Sequence, residues 1–428
     1  IPRSAASSGL TPEPKIPSGL DPLFHLLLYA GRQAFSDGIT SPLDRSRIGV
    51  IIGNLALPTE KSSQYSREIL GKTFEERLLG RSMTKTATEP LNRYVAGLPA
   101  GLLAYSLGLG GGSCTLDAAC ASSLYALKLA ADELLAGRAD AMLSGGVSRP
   151  DPLYTQMGFS QLRALSRRGI CSPFDADGDG LVVGEGAGIF LLKRTEDAIA
   201  HGDRIYGVIR GAGLANDVGG SLLAPMSEGQ LRAMRQAYEL AGWNPADVDL
   251  IECHATGTPV GDATEVASLR ELWRDQPESG RACVIGSVKS NIGHLLTAAG
   301  SAALTKVLLA MREGVLPPTA GFTRPQPVMA LESSPFTVLK EAAPWERRGD
   351  GIPRRAAVSA FGFGGINAHL LIEEWLPEMA DIGETIAVAH NWVPPVPESA
   401  PEADSPGAPA IAVIGMDARF GSGDSLRA

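Results

Sequence analysis

Two segments of this chain read as helices that solvent hardly reaches. One runs from Cys120 to about Ala136, and the other from His294 to about Arg312, where Lys306 is the only charge between His294 and Met311. Both are built mainly from Ala, Leu, Gly and Ser. A helix apolar on nearly every side belongs in the interior, and its small residues let neighbours approach closely. Each is led in by a strand-like run, residues 114–119 and 283–288. Two such strand–helix units need sheets to cover them, so the pattern predicts a duplicated α/β domain with helices sandwiched between sheets.

The remaining elements fit around that frame. A helix is expected over residues 22–37, a buried strand over 47–54, and short helices over 60–95. Strands at 139–147, 186–193 and 204–213 are assigned to the first half, and strands at 248–254, 356–360 and 368–374 to the second. The chain divides into an irregular approach (1–20), a first half (21–213), a second half (214–375), a Pro-rich acidic linker (376–409) and the start of a further domain (410–428). It opens on Ile1, so it is expected to be part of something longer.

Bulk properties exclude several classes. The 428 residues carry a net charge of −9 and no basic run that could track a phosphate backbone, so no nucleic-acid partner is expected. No apolar run reaches membrane-spanning length, and no membrane association is expected. The five cysteines, Cys114, Cys120, Cys171, Cys253 and Cys283, are widely spaced without a CxxC pair. They suggest neither a disulfide framework nor a zinc site, and a reducing cytoplasm fits.

Four motifs carry chemistry. Cys120 stands where strand gives way to helix, and a helix N-terminus there would favour its thiolate. A buried inert thiol is the usual alternative. His254-Ala255-Thr256-Gly257-Thr258-Pro259 follows a strand, and Asp262 and Glu265 fall in the next helix as capping groups or, for Glu265, a partner of Lys289. Lys289-Ser290-Asn291-Ile292-Gly293-His294 puts His294 at the start of the second buried helix, where a neutral imidazole is expected. The glycine turn Phe361-Gly362-Phe363-Gly364-Gly365-Ile366-Asn367 can present a backbone N–H to an oxyanion. Two other motifs are set aside. The acidic run from Asp175 to Asp179 lacks the twelfth-position glutamate of a calcium loop. The glycines from Gly108 to Gly112 precede a strand rather than a phosphate-binding helix.

Together the Cys120 segment, the His254 run, the Lys289 run, the Phe361 run, and Ser172-Pro173-Phe174-Asp175 with Gly184-Glu185-Gly186 resemble the β-ketoacyl synthases of the thiolase superfamily. The resemblance spans about residues 17–374. It implies a five-layered αβαβα fold of two duplicated halves and a dimer. Finer features, around Cys120 and around Met157-Gly158-Phe159, resemble the ketosynthase of polyunsaturated fatty acid synthases, with a chain-length factor following in the segment from Ile411. A ketosynthase of a polyketide synthase is the alternative. A degradative thiolase, a decarboxylase or a chain-length factor fits less well, because each departs from this pattern of cysteines.

The resemblance implies a reaction and its residues. Cys120, His254 and His294 would be catalytic, and the N–H groups of Cys120 and Phe363 would form the oxyanion hole. Lys289, Glu265, Asp262 and Asn367 would order them. Thr256, Thr258, Phe361 and Phe363 would line the path of the 4'-phosphopantetheine arm of an acyl carrier protein. No metal and no bound organic cofactor is implied. An opening strand would precede Ile1.

Overall fold

The computed structural model describes residues 16–80, 89–219, 224–276 and 281–377. The linker and further-domain assignments, residues 376–428, lie outside the described residues except at their first positions. The helices, in chain order, are α1 (Pro22–Asp37), α2 (Glu60–Ser66), α3 (Lys72–Leu79), α4 (Leu98–Leu107), α5 (Ser122–Leu135), α6 (Pro152–Gln161), α7 (Thr195–His201), α8 (Ser227–Ala241), α9 (Pro259–Leu272), α10 (Lys289–Ile292) and α11 (Ala299–Glu313). The strands are β1 (Ile48–Gly53), β2 (Ser113–Leu116), β3 (Ala141–Ser148), β4 (Gly186–Leu192), β5 (Val208–Asn216), β6 (Leu250–Glu252), β7 (Cys283–Gly286), β8 (Val315–Leu316), β9 (Phe336–Thr337), β10 (Ala343–Pro344), β11 (Arg355–Gly362) and β12 (Ile366–Glu373).

Two main sheets form, in the orders β2-β1-β3-β4 and β5-β12-β11-β6-β7-β9. In the first, β1 runs parallel to β2 and β3, and β4 closes antiparallel. In the second, β6 is parallel to β7 and β11, while β12 is antiparallel to β11 and β5. Helices α1 and α4 pack on the first sheet, α8 and α9 flank the second, and α5 and α11 touch both sheets. The order of layers is therefore αβαβα, the five layers expected.

The middle layer explains the sequence pattern. Leu124, Leu127, Ala303, Leu304 and Val307 from the two helices join Val358, Leu370 and Ile372 from the second sheet in one buried cluster. Burying such side chains contributes on the order of 1.5–3 kcal/mol each. A charge added on the inward side of either helix would meet a sheet rather than water.

One strand assignment is corrected. The sequence pattern assigns residues 204–213 to the first half, but β5 pairs with β12 at the edge of the second sheet. The helix α8 that follows packs on β5 and β12. Strand periodicity is local, whereas sheet membership is set by the partner that covers the edge.

Candidate active site

Cys120 follows a strained turn. Ala119 has φ 49°, left-handed for a residue with a side chain. Asp117 holds that turn by accepting from Ala119 N (Oδ1, 2.9 Å) and from Ala56 N (Oδ2, 2.9 Å). Ser122 closes it from the other side: its Oγ accepts from Ala118 N at 2.8 Å and donates to Ala119 O at 2.6 Å. Sequence reasoning misses both Asp117 and Ser122. Their only signal is the spacing around Cys120, which suits side-chain-to-backbone bonds two to four residues away.

The expectation of a helix-stabilised thiolate is corrected. Helix α5 begins at Ser122, after Cys120, and the Ala121 and Ser122 amides point back to Ala118 O and Ala119 O. Burial pushes the Cys120 thiol up to about 11, against the Lys289 charge and the amides of Phe363 and Cys120 itself, which pull it down. Desolvation wins because the side chain is nearly sealed from water.

His294 Nε2 lies 3.1 Å from Cys120 Sγ. The His254 and His294 rings stand edge to face with centroids 5.3 Å apart. Burial holds both imidazoles well below their ordinary range, and the Lys289 charge adds to it. Both are therefore neutral near pH 7. Their Nδ1 atoms have no hydrogen-bond partner among the described residues.

The placement of His294 also differs from expectation. Helix α11 starts at Ala299, and His294 instead follows the short α10 in a parallel β-bridge to Val183. Its backbone is bracketed by the 182–184 loop, with His294 N donating to Val182 O at 2.7 Å and Gly184 N donating to His294 O at 3.0 Å. A Cβ on Gly184 would lie 2.4 Å from Ile292 O, so glycine is needed for this approach. The imidazole is kept neutral by burial, not by a helix end.

Two buried carboxylates shape the His254 loop. Glu265 accepts from His254 N and Ala255 N, each at 2.8 Å. Asp262 accepts from Thr256 N at 2.9 Å, Gly257 N at 3.2 Å and Phe174 N at 2.9 Å. Burial raises Glu265 to about 7 and Asp262 to about 6, against the N–H bonds and the Lys289 charge. The expectation that Glu265 orders His294 or pairs with Lys289 is corrected. It holds the His254 backbone instead, and Lys289 Nζ, itself buried, reaches Cys253 O at 3.4 Å.

Thr256 and Thr258 join hydroxyls at 3.0 Å beside His254. The Phe361 ring packs 5.8 Å from His254, centroid to centroid. Phe363 is partly exposed and meets Phe159 of α6 at 6.1 Å. Asn367 does not touch the histidines: its Nδ2 donates to Asp217 Oδ1 and Gly365 O, both at 2.9 Å, and so fixes the glycine turn. That turn comes very close to the cysteine. A Cβ on Gly362 would lie 2.9 Å from Ala119 Cβ and 3.1 Å from Cys120 N.

The acidic run resolves as a turn. Asp175 accepts from Thr323 and Arg324, and Asp179 accepts from Ser166 and Arg167. The carboxylates diverge to separate partners. Among the described residues no helix is long and apolar enough to cross a membrane.

This arrangement can do acyl chemistry: a thiol beside a neutral imidazole, a second imidazole facing it, and backbone amides of Phe363 and Cys120 that favour the thiolate. Comparison with known proteins agrees. Models of the β-ketoacyl synthase N-terminal and C-terminal domains match residues 12–198 and 206–323. A polyunsaturated fatty acid synthase polypeptide of Thraustochytrium sp. is 36% identical over 93% of this chain, and polyketide synthase PksL of Bacillus subtilis is 38% identical over 84%. The chain spans only 19% and 8% of those two proteins. The solved PfaC keto synthase-chain length factor has a TM-score of 0.74 at 40% identity, covering 84% of this chain and 39% of its own. A ketosynthase from module 6 of the bacillaene synthase of Bacillus subtilis has a TM-score of 0.71 at 36% identity, covering 83% and 60%. The thiol–imidazole geometry, the two matching domain models and these structures lead to one conclusion: this chain belongs to the β-ketoacyl synthase family of condensing acyltransferases.

Proposed function

We propose that this chain is the ketosynthase domain of a polyunsaturated fatty acid synthase. It extends an acyl chain by decarboxylative Claisen condensation with a malonyl group carried on acyl carrier protein. The observation that carries the reading is the 3.1 Å approach of His294 Nε2 to Cys120 Sγ, with the ring of His254 facing His294.

The geometry supports the following course. Cys120 Sγ attacks the acyl thioester carbonyl, and its proton passes to the departing pantetheine sulfur. The carbonyl oxygen becomes an oxyanion between the N–H groups of Cys120 and Phe363. The carrier's pantetheine thiolate leaves with a proton, and the acyl group stays on Sγ. Removing one such donor typically raises a barrier by about 2.7–4 kcal/mol.

A malonyl thioester then takes the vacated arm, with Thr256 and Thr258 as hydroxyl partners. His254 and His294 are neutral, and as their Nε2–H tautomers both donate to its thioester carbonyl. The carboxylate C–C bond breaks, CO2 leaves, and the electron pair forms an enolate. The enolate carbon attacks the acyl-Cys120 carbonyl, and the C–S bond breaks to return the thiolate. Every group in this sequence comes from the chain or its substrates, so the course calls for no bound metal or organic cofactor.

The carrier protein is the expected partner, and a chain-length factor after residue 409 or a second copy is the expected companion. The fatty acid reading is favoured by coverage: the alignment to the Thraustochytrium fatty acid synthase takes in 93% of this chain, against 84% for PksL. A polyketide module is the second reading. We place the protein in the cytoplasm, where its free thiols stay reduced.

The test is intact-mass spectrometry of wild type and Cys120→Ala mixed with acyl carrier-protein thioesters, then malonyl carrier protein. The expected result is a covalent adduct on wild type only, released as a product two carbons longer. A folded wild type that takes no adduct from any acyl chain would sink the reading. Loading by polyketide-type β-branched or hydroxylated chains, and not by plain fatty acyl chains, would favour the second reading.

A further inference from the structure

A charged pair lies on the strand that leads to His254, and the mechanism does not use it. Glu252 ends β6, two residues before His254, and is fully buried. Its Oε2 sits 2.7 Å from Lys306 Nζ of α11, a side chain only 13% exposed. Its Oε1 accepts from Val288 N, the amide just before Lys289. Beyond the ion-pair contact, Glu252 Oε2 and Lys306 Nζ have no hydrogen-bond partner among the described residues. The pair sits against Gly286 of β7, the residue registered opposite Glu252, where a Cβ would lie 3.4 Å from Lys306 Nζ.

A buried ion pair is weak support for stability, since a well-packed apolar pair often does as well. Something other than stability accounts better for a carboxylate and an ammonium inside a layer made of Ala and Leu. The connectivity suggests what. One carboxylate holds the entry of the 288–306 segment through Val288 N and its far part through Lys306. That segment carries Lys289 and His294. The same carboxylate belongs to the strand that delivers His254.

We propose that the Glu252–Lys306 pair is a positioning device that sets the distance between His254 and His294. It acts through the backbone and touches no substrate. The proposal rests on the reading of the site as a decarboxylating condensing centre. It predicts a split between half-reactions. Loading of Cys120 uses the Ala119 turn, the Phe363 amide and one imidazole, His294, so it depends less on the spacing of the two rings. Loss of CO2 needs both imidazoles at one carbonyl oxygen, and a shift near 1 Å there costs on the order of 10²-fold.

The experiment uses the whole chain, and measures loading of Cys120 by intact mass and CO2 release from malonyl carrier protein in separate assays. Glu252→Gln keeps an acceptor for Val288 N but strips the charge facing Lys306. In this variant and in Lys306→Met, CO2 release is expected to fall on the order of 10²-fold in kcat, with KM unchanged and the loading rate falling far less. Lys306→Arg, which restores a cation, is expected to recover most of the loss. An equal fall in both half-reactions, or a fall in neither, overturns the proposal. If a single variant does not fold because one charge is left unpaired, Glu252→Gln/Lys306→Met leaves none, and the same split decides. Wild type that loads but releases no CO2 would instead sink the reading of the site.

Discussion

The two halves hold their reactive groups with different balances of strain and burial. In the first, Cys120 is fixed by backbone shape: a left-handed Ala119, Asp117 and Ser122 bonded to the turn, and the glycine turn pressed against it. No charged side chain is hydrogen-bonded to the thiol among the described residues. In the second, His254 and the loop after it are fixed by buried carboxylates that gather backbone amides, with Lys289 buried between. Strain gives the Cys120 thiol its direction. Imidazoles that must stay neutral need desolvation and a nearby cation, which burial and Lys289 supply.

Four substitutions or titrations test that contrast. The largest effect is expected from Gly362→Ala, whose methyl would push on Ala119 and Cys120. Loading of Cys120, followed by intact mass, should fall on the order of 10²-fold, since small misplacements are that costly. If loading is unchanged, the close approach of the glycine turn does not aim the thiol.

The counterpart in the second half is Glu265→Gln. Its amide cannot accept from both His254 N and Ala255 N, so one buried donor loses its partner. Chemical denaturation should show a loss of about 1–3 kcal/mol. Loading of Cys120 should persist while CO2 release drops. A drop confined to loading would invert the comparison.

Acid should act on the second half. His369 is buried against Tyr238, bonded to Ser359 Oγ, and burial holds it down to about 3. The unfolded chain binds its proton near pH 6.5 and the folded chain does not, so this contribution is lost as pH falls from 6.5 toward 3. Between pH 7 and pH 5, wild type should lose about 2 kcal/mol more stability than His369→Gln. Equal losses would mean the histidine stays paired or hydrated when charged. The raised carboxylates Glu265 and Asp262 work in the opposite direction and are common to both proteins.

The smallest effect concerns the thiol itself. With Cys120 at about 11, its thiolate fraction rises about tenfold per pH unit below that value. Alkylation of Cys120 by iodoacetamide, read by mass between pH 7 and 9, should follow that slope. A plateau already reached at pH 7 would show that the amides and Lys289 outweigh burial.

Much of this is legible in the amino-acid sequence. The helix of residues 22–37, the strand beginning at Ile48 and the buried middle helices all follow from hydrophobic pattern. Cys120, His254, Lys289 and His294 stand out because reactive residue types sit in short glycine- and small-residue-rich runs. Asp117, Ser122, Glu252 and Gly184 do not stand out. Each looks ordinary until a distant backbone comes within bonding distance.

Side-chain type and periodicity are local properties, so the chemistry available and the layered α/β class are written in the chain. Packing fixed where that chemistry acts. It moved β5 into the second sheet, set His294 in a β-bridge to Val183, gave Glu265 to the His254 backbone and raised the Cys120 thiol. Each of these depends on burial or on contact between segments far apart in the chain. Desolvation and backbone approach are sums over neighbours that no local pattern records.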